Sequence, residues 1–132
     1  MTTELRKRGD FTKIIINGYL KNITNNEEML INTHAIKNNN KLIYFQNNEK
    51  YILQIVSPKK LILNRFTNEL DSKLYFELNK VLSATYNIKK NNLSLKIDIR
   101  TNNIELNDKY VKITYTVMDS DIDYEYYIEM SE

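Results

Sequence analysis

The sequence has no cysteine, only two glycines, one proline and one histidine among its 132 residues. Without cysteine the chain has no disulfides, no zinc–thiolate sites and no thiol nucleophile. Two isolated glycines cannot form a phosphate-binding loop, because such a loop needs several glycines to wrap its backbone around the anion. The single imidazole, His34, lies among apolar neighbours, where a packed or surface role is commoner than catalysis. We therefore expect no enzyme activity, no cofactor and no metal site.

Long apolar runs and concentrated charge are also missing. No aliphatic run is longer than three residues, the length of residues 14–16, which is far below the roughly 20 residues that a membrane-spanning helix needs. The net charge is only +2 and the lysines are scattered, whereas nucleic-acid-binding proteins usually present a clustered basic face. We expect neither a membrane nor a nucleic acid as a partner. The absence of an apolar segment after Met1 leads us to expect a cytoplasmic protein.

Asparagine and aspartate take the place of glycine and proline at the turns of the chain, since they tolerate the left-handed backbone conformation best after glycine. Between these turns lie apolar or alternating runs of about five to eleven residues, which indicate short strands. The first strand is predicted over residues 11–23, with a bend or bulge at Gly18. The pattern predicts an all-β fold: a single antiparallel, largely up-and-down barrel of about 8–10 strands with little or no helix. Residues 1–10 are predicted to be an N-terminal extension and residues 11–132 one barrel domain.

Residues 80–101 form the clearest predicted hairpin. Apolar and polar residues alternate on both arms, so the apolar side chains share one sheet face. A turn at Lys90 and Asn91 would oppose Ile88 to Leu93, Tyr86 to Leu95, Ala84 to Ile97 and Leu82 to Ile99. A turn at Asn91 and Asn92 would shift every pair by two residues and leave the faces unchanged.

A second hairpin ends the chain. With its turn at Asp119 and Ser120, the inward pairs are Val117–Ile122, Tyr115–Tyr124, Ile113–Tyr126 and Val111–Ile128. Between the two hairpins the apolar positions change from odd to even numbers. A β-bulge within residues 101–103 is predicted, because one extra residue restores the apolar face.

The hairpin of residues 51–66 differs from these two because both of its faces are apolar. A tight turn at Ser57, Pro58 and Lys59 would pair Ile55 with Ile62 on one face and Val56 with Leu61 on the other. One face must meet the core. The other could be covered by an extension or a partner.

From about residue 51 to the end, the chain resembles the YwiB-like family of small bacterial proteins of unknown function. The resemblance rests on the stretches KYILQIVSPKKLILNRF, LYF, LSLKIDIRTNNIEL and KYVKITYTV and on the tyrosine-rich last strand; residues 11–46 match more loosely. It implies a calycin-type (lipocalin-like) β-barrel. It also places Arg65 and Phe76 where the family tends to have an arginine and a phenylalanine. The family has no catalytic signature, so the resemblance implies a fold and no reaction.

Four tyrosines fall on faces predicted to turn inward: Tyr86, Tyr115, Tyr124 and Tyr126. A buried phenol without a hydrogen-bond partner costs about 1–3 kcal/mol, so these hydroxyls must reach each other, water, Arg65 if it points inward, or a ligand. A barrel of this size either fills its interior with side chains or holds one small molecule. The plainer interpretation is that the tyrosines are core residues whose tips reach the barrel mouth.

Two functions stay open. The leading hypothesis is a non-catalytic binding module for a small amphipathic ligand, held inside the barrel by the four tyrosines and Arg65. It predicts an internal cavity of a few hundred Å³ with converging polar groups. The alternative is a filled structural barrel that acts through self-association, as a homodimer, or through contact with another protein. Its basis is the hairpin of residues 51–66, with Phe11 and Tyr127 as further exposed candidates.

Overall fold

A computed structural model describes residues 11–132, which form ten antiparallel strands closed into one barrel. Each strand pairs with its neighbours in sequence, and the first pairs with the last. The all-β, up-and-down barrel predicted from the sequence is confirmed, and the described residues contain no helix. The predicted extension, residues 1–10, lies outside the described part of the chain. The strands are β1 (Phe11–Asn22), β2 (Glu27–Asn38), β3 (Lys41–Gln46), β4 (Glu49–Ser57), β5 (Lys60–Phe66), β6 (Leu70–Glu77), β7 (Val81–Ile88), β8 (Leu93–Leu106), β9 (Tyr110–Val117) and β10 (Ile122–Ser131).

The core lies inside the barrel and is built from alternate residues of every strand. In β9, for example, Val111, Ile113 and Tyr115 are buried, as are Tyr126 and Ile128 opposite them in β10. This alternation follows from the period of two along a strand, which sends successive side chains to opposite faces. The other face of each strand forms the outer surface.

The two hairpins predicted most clearly have the predicted registers. β7 and β8 pair from Ile88–Leu93 to Leu82–Ile99, which selects the first of the two registers that the sequence allowed. β9 and β10 pair from Val117–Ile122 to Val111–Ile128. The β8–β9 register shifts between Thr101 and Asn103, which confirms the predicted bulge.

Asparagine supplies most of the left-handed turn positions, as its distribution predicted. Every residue with a positive φ in the described chain is an asparagine or an aspartate, and none is a glycine. The short side-chain amide or carboxylate can bond to the local backbone, which offsets the steric cost of this conformation. These positions are Asn26, Asn39, Asn47, Asn48, Asn79, Asn92 and Asp121.

The predicted pairing of β4 with β5 is wrong beyond the turn. Ser57 pairs with Lys60 as expected, but Val56 is a bulge, and Ile55 lies opposite Leu61 instead of Ile62. The extra residue reverses the faces of one arm relative to the prediction. As a result Leu61, Leu63 and Arg65 turn inward, and Ile62 turns outward.

Of the bend or bulge predicted at Gly18, the bulge is wrong. The register of β1 with both β2 and β10 runs through Gly18 without a shift. The glycine is required for a different reason: a Cβ at this position would overlap the carbonyl oxygen of Tyr127 on β10. Close backbone approach is one of the standard reasons for glycine inside a strand.

Residues 11–132 include no helix that is long and apolar enough to cross a membrane.

Candidate functional site

The strand registers align a row of inward-facing polar side chains across five neighbouring strands. Tyr44 of β3 pairs with Tyr51 of β4, Tyr51 with Arg65 of β5, Arg65 with Ser72 of β6, and Ser72 with Tyr86 of β7. Directly opposed residues of adjacent strands share one face of a sheet. We call this end of the barrel, which carries the loops of residues 23–26, 47–48, 67–69, 89–92 and 118–121, the tyrosine end.

The row forms one side of a cavity of about 220 Å³ at the tyrosine end. All five site residues predicted from the sequence line it together. Among residues 11–132, Arg65 is the only charged residue in the lining, and no carboxylate of this range belongs to it. The lining consists of the tyrosines Tyr44, Tyr51, Tyr86, Tyr115, Tyr124 and Tyr126, the polar residues Arg65 and Ser72, and the apolar residues Leu20, Met29, Leu63, Leu74 and Val117.

Two stacked pairs of tyrosines give the cavity flat aromatic walls. The rings of Tyr44 and Tyr51 are nearly parallel, at 8°, with centroids 4.7 Å apart. The rings of Tyr115 and Tyr124 stack at 15° with centroids 5.3 Å apart. Phe76 packs against Tyr115, the first ring of the second pair, with ring centroids 5.0 Å apart. Such stacking adds to the energy of area burial and holds the rings in fixed orientations.

Three of the six tyrosines use their hydroxyls within the protein. The hydroxyls of Tyr44 and Tyr126 hydrogen-bond to each other at 2.6 Å, deep in the barrel. The hydroxyl of Tyr51 donates to Oε1 of Glu49 at 2.6 Å. These bonds satisfy the buried phenols and belong to the fold.

The other three hydroxyls, those of Tyr86, Tyr115 and Tyr124, have no hydrogen-bond partner within residues 11–132. Their oxygens are also not among the fully buried side-chain atoms of that part of the chain that lack a hydrogen-bond partner. Since all three residues line the cavity, their hydroxyls face its free space. The cavity therefore presents three phenol groups that are open to water or to a ligand.

Arg65 points into the same cavity and is anchored by Glu49. Its Nε donates to Oε1 of Glu49 at 3.0 Å and its Nη2 to Oε2 at 2.9 Å, a two-point ion pair. The guanidinium carbon also lies 5.9 Å from the ring centroid of Tyr51. Burial is the largest single influence on the pKa of Arg65 and would lower it, but the hydrogen bonds and electrostatic interactions with Glu49 and Tyr51 together outweigh burial and raise that pKa. Arg65 is therefore a fixed positive charge.

Burial keeps the phenols of the cavity protonated. It raises the pKa of Tyr86, Tyr115 and Tyr126 above the ordinary value of a phenol. For Tyr51, burial and the hydrogen bond to Glu49 raise the pKa to about 12. At neutral pH these groups act as neutral hydrogen-bond donors or acceptors.

His34, the single histidine of the sequence, lies away from the cavity. His34 lies exposed on the outer face of β2, paired with Ile15 of β1. No group of three or more histidine, aspartate or glutamate side chains in this part of the chain could hold a metal ion.

Recesses of larger volume occur elsewhere. Two of about 380 and 360 Å³ share Lys37, Asn39 and Asp108 at the opposite end of the barrel, and one of about 450 Å³ lies on the outer surface around Phe11 and Phe45. The first includes Thr12 and the third includes Phe11, both at the start of β1. The tyrosine cavity differs from these three recesses in having six tyrosines in its lining.

Sequence reasoning missed Tyr44, Tyr51 and Ser72. Tyr44 shares the alternation of Leu42 in the short strand β3, and Tyr51 shares that of Leu53 in β4, so the period of two could have found both tyrosines. Ser72 gave no such signal, because a serine occurs on either face of a strand.

Comparisons with known proteins support the fold. The crystal structure of the ywiB protein from Bacillus subtilis matches with a TM-score of 0.63 over 95% of this chain and 98% of that chain, at 13% sequence identity. No family model matches the sequence, and no curated protein matches it either. At 13% identity the structural match shows the fold alone. The chain thus has a β-barrel fold like that of the ywiB protein.

Proposed function

We propose that the protein is a non-catalytic binding module that holds one small amphipathic molecule in the tyrosine cavity. The observation that carries the proposal is that Arg65 and three phenol hydroxyls without a partner in residues 11–132 line one aromatic cavity. Ligand sites have this composition: mostly apolar walls with a few placed polar groups. We also propose that the barrel is of the calycin type, as the resemblance of the sequence implies.

Energetics favour an occupied cavity. A phenol hydroxyl that is removed from water without a partner costs about 1–3 kcal/mol, so the three open hydroxyls need water or a ligand. Apolar area buried by a ligand contributes about 25 cal/mol per Å² in addition. A ligand with one polar and one apolar part can bond to the hydroxyls and also bury apolar area. The polar groups line the same cavity as the aliphatic residues Leu63, Leu74 and Val117.

A binding role fits the chemistry better than an enzymatic one. A phenol acts as a nucleophile or a base only when it ionises, and burial raises the pKa of Tyr86 and Tyr115 away from neutrality. Arg65 is fixed in its charged form by Glu49 and supplies positive charge without accepting a proton. The lining therefore offers recognition groups and no proton acceptor tuned to neutral pH.

Native mass spectrometry of the protein purified from the organism that encodes it tests this proposal. We expect a bound small molecule on the wild-type protein and its loss in Ser72→Leu, whose added side chain would occupy the cavity. Asn64→Leu, on the outward face of β5, is the matched control and should keep the molecule. A bare mass for the wild-type protein, together with no binding of small aromatic probes, would contradict the proposal.

Self-association is a second candidate, and the outer surface favours it. Ile36, Ile43 and Ile52 form a row of directly opposed residues on the outer faces of β2, β3 and β4. Next to this row, Phe45 is 61% exposed, and Phe11 is 58% exposed at the start of β1. Contiguous exposed apolar residues of this kind often mark contact sites between proteins.

Sedimentation velocity over a range of concentrations tests the second candidate. We expect a dimer that dissociates in Ile43→Lys, because a charge in the middle of the row would be buried in the interface. Thr85→Lys, on the outward face of β7, is the control. A wild-type protein that stays monomeric at the highest concentration would contradict self-association and leave the binding proposal intact.

A further inference from the structure

We propose that the ligand of the tyrosine cavity is an anion: a single flat ring carrying a carboxylate, with the carboxylate directed to Arg65 and the open hydroxyls. This inference rests on the binding function proposed above and names its ligand class. Three independent features of the cavity lead to it: its charge, its hydrogen-bonding groups and its shape.

The charge of the lining is positive. Arg65 is its only ionised residue, and Glu49, the carboxylate that neutralises it, is not part of the lining. Glu49 is held by Nε and Nη2 of Arg65 and by the hydroxyl of Tyr51, so its oxygens are directed to these donors. Nη1 of Arg65 takes no part in the hydrogen bonds to Glu49 and is the donor that remains for a ligand.

The field of Arg65 reaches further into the cavity than that of Glu49. The positive charge of Arg65 opposes the burial-driven rise in the pKa of Tyr44, Tyr51 and Tyr86. Glu49 acts on the pKa of Tyr51 alone among these three. Two further carboxylates, Glu27 and Glu28, lie exposed outside the mouth near Met29 and Tyr124, where water and salt screen them. The inner cavity is thus suited to negative charge.

The hydrogen-bonding groups are suited to a carboxylate. The hydroxyls of Tyr86, Tyr115 and Tyr124 and Nη1 of Arg65 can all donate, and a carboxylate oxygen accepts more than one such bond. Hydrogen bonds to an ionised acceptor are roughly twice as strong as those between neutral groups. An ammonium group could use the hydroxyls as acceptors, but it would face Arg65 with no carboxylate in the lining to balance the two charges.

The shape limits the rest of the ligand. A volume of about 220 Å³ lies below the range of about 300–1,000 Å³ typical of pockets for drug-sized molecules, so a long acyl chain would not fit inside. The stacked pairs Tyr44–Tyr51 and Tyr115–Tyr124 present flat walls on which a planar ring can pack. A monocyclic aromatic acid meets both limits.

Isothermal titration calorimetry at neutral pH tests the inference with three matched probes, which are benzoate, benzyl alcohol and benzylamine. They share one ring and differ in the charge of the polar group. We expect benzoate to bind at least about tenfold more tightly than benzyl alcohol, because its hydrogen bonds are charge-assisted. Benzylamine should bind most weakly.

Variants of the cavity identify the groups responsible. Arg65→Met should abolish the preference for benzoate over benzyl alcohol, whereas Arg100→Met, on the outer face of β8, should leave it unchanged. Tyr86→Phe removes one donor while keeping the ring, and it should weaken benzoate binding several-fold. It keeps the inference falsifiable should Arg65→Met fail to fold.

The outcomes of these titrations test the anionic ligand class separately from the binding function. Equal or tighter binding of benzyl alcohol or benzylamine, lost in Ser72→Leu, would overturn the anionic ligand and leave the binding function standing. A benzoate preference that survives in both Arg65→Met and Tyr86→Phe would overturn the role of these residues. If none of the three probes binds the wild-type protein, the anionic ligand is overturned; the native mass of the purified protein then decides the binding function separately.

Discussion

The tyrosines inside this barrel fall into two groups that differ in what their hydroxyls meet. Tyr44, Tyr126 and Tyr51 are bonded to the protein itself, whereas Tyr86, Tyr115 and Tyr124 have hydroxyls that face open space. Both groups come from the same inward alternation and both line the same cavity. An inward position therefore does not distinguish the two groups. They differ in whether the hydroxyl has a hydrogen-bond partner within the described protein.

The difference follows from which hydroxyls reach a polar partner and not from burial alone, since Tyr115 is 6% exposed and Tyr51 is 5% exposed. Tyr44 and Tyr126 are almost fully buried and lie far enough along their strands to meet across the interior, 82 residues apart in sequence. Tyr86 and Tyr124 are half-buried and Tyr115 is buried, and none of the three hydroxyls has a hydrogen-bond partner within residues 11–132. The first group should control stability, and the second should control binding.

Alkaline pH should produce the largest effect, because it acts on every buried phenol together. Phenols with a raised folded-state pKa keep their protons when the unfolded chain would release them above about pH 10. The contribution of these phenols to the free energy of unfolding is complete below about pH 10. It is lost as the pH rises toward their folded-state pKa, which is about 12 for Tyr51. We expect phenolate absorbance and circular dichroism to change together in this range. Gradual ionisation of all ten tyrosines near pH 10, with the fold intact, would contradict this account.

Removing a hydroxyl from the bonded group should be the next largest effect. Tyr126→Phe leaves the buried hydroxyl of Tyr44 without its partner, and we expect a loss of about 1–3 kcal/mol in the free energy of unfolding in urea. The double variant Tyr44→Phe with Tyr126→Phe should lose less than the sum of the single variants, because no orphaned hydroxyl remains. Additive losses would show that the two hydroxyls do not depend on each other.

Filling the cavity should have a smaller effect of the opposite sign. Ser72→Leu places apolar volume in unoccupied space, and we expect a gain of about 0.5–1 kcal/mol in unfolding free energy. The same variant should abolish binding of the aromatic probes, so stability and binding would change in opposite directions. A clear loss of stability would indicate that the space is already filled.

Removing a hydroxyl from the open group should have the smallest effect on stability. Tyr115→Phe deletes a hydroxyl that bonds to no residue of the described chain, so the free energy of unfolding should change by less than about 0.5 kcal/mol. Binding of benzoate should nevertheless weaken. A loss equal to that of Tyr126→Phe would remove the distinction between the two groups.

The sequence predicted those parts of the fold in which one face is clearly apolar. The registers of β7–β8 and β9–β10 and the bulge between Thr101 and Asn103 followed from alternation alone, since a slip by one residue would bury the polar face. The bulge at Val56 could not be predicted in this way. Both faces of that hairpin are apolar, so alternation gives no preference between neighbouring registers.

The site was predictable only in part for a related reason. Alternation placed Tyr86, Tyr115, Tyr124 and Tyr126 inward, but it could not decide whether Arg65 shared their face, because the Val56 bulge sets its orientation. It also could not show which hydroxyls would pair. The bond between Tyr44 and Tyr126 joins strands distant in sequence, so it depends on the closure of the barrel and on no local pattern.

A high-resolution crystal structure of the purified protein tests the central claim most directly, because it shows what the open hydroxyls touch. We predict density for ordered water or a bound molecule within hydrogen-bond distance of the hydroxyls of Tyr86, Tyr115 and Tyr124. We also predict that Tyr44 and Tyr126 remain bonded to each other. A barrel interior filled by side chains, with all three open hydroxyls bonded to protein groups, would contradict the claim that this cavity is a binding site.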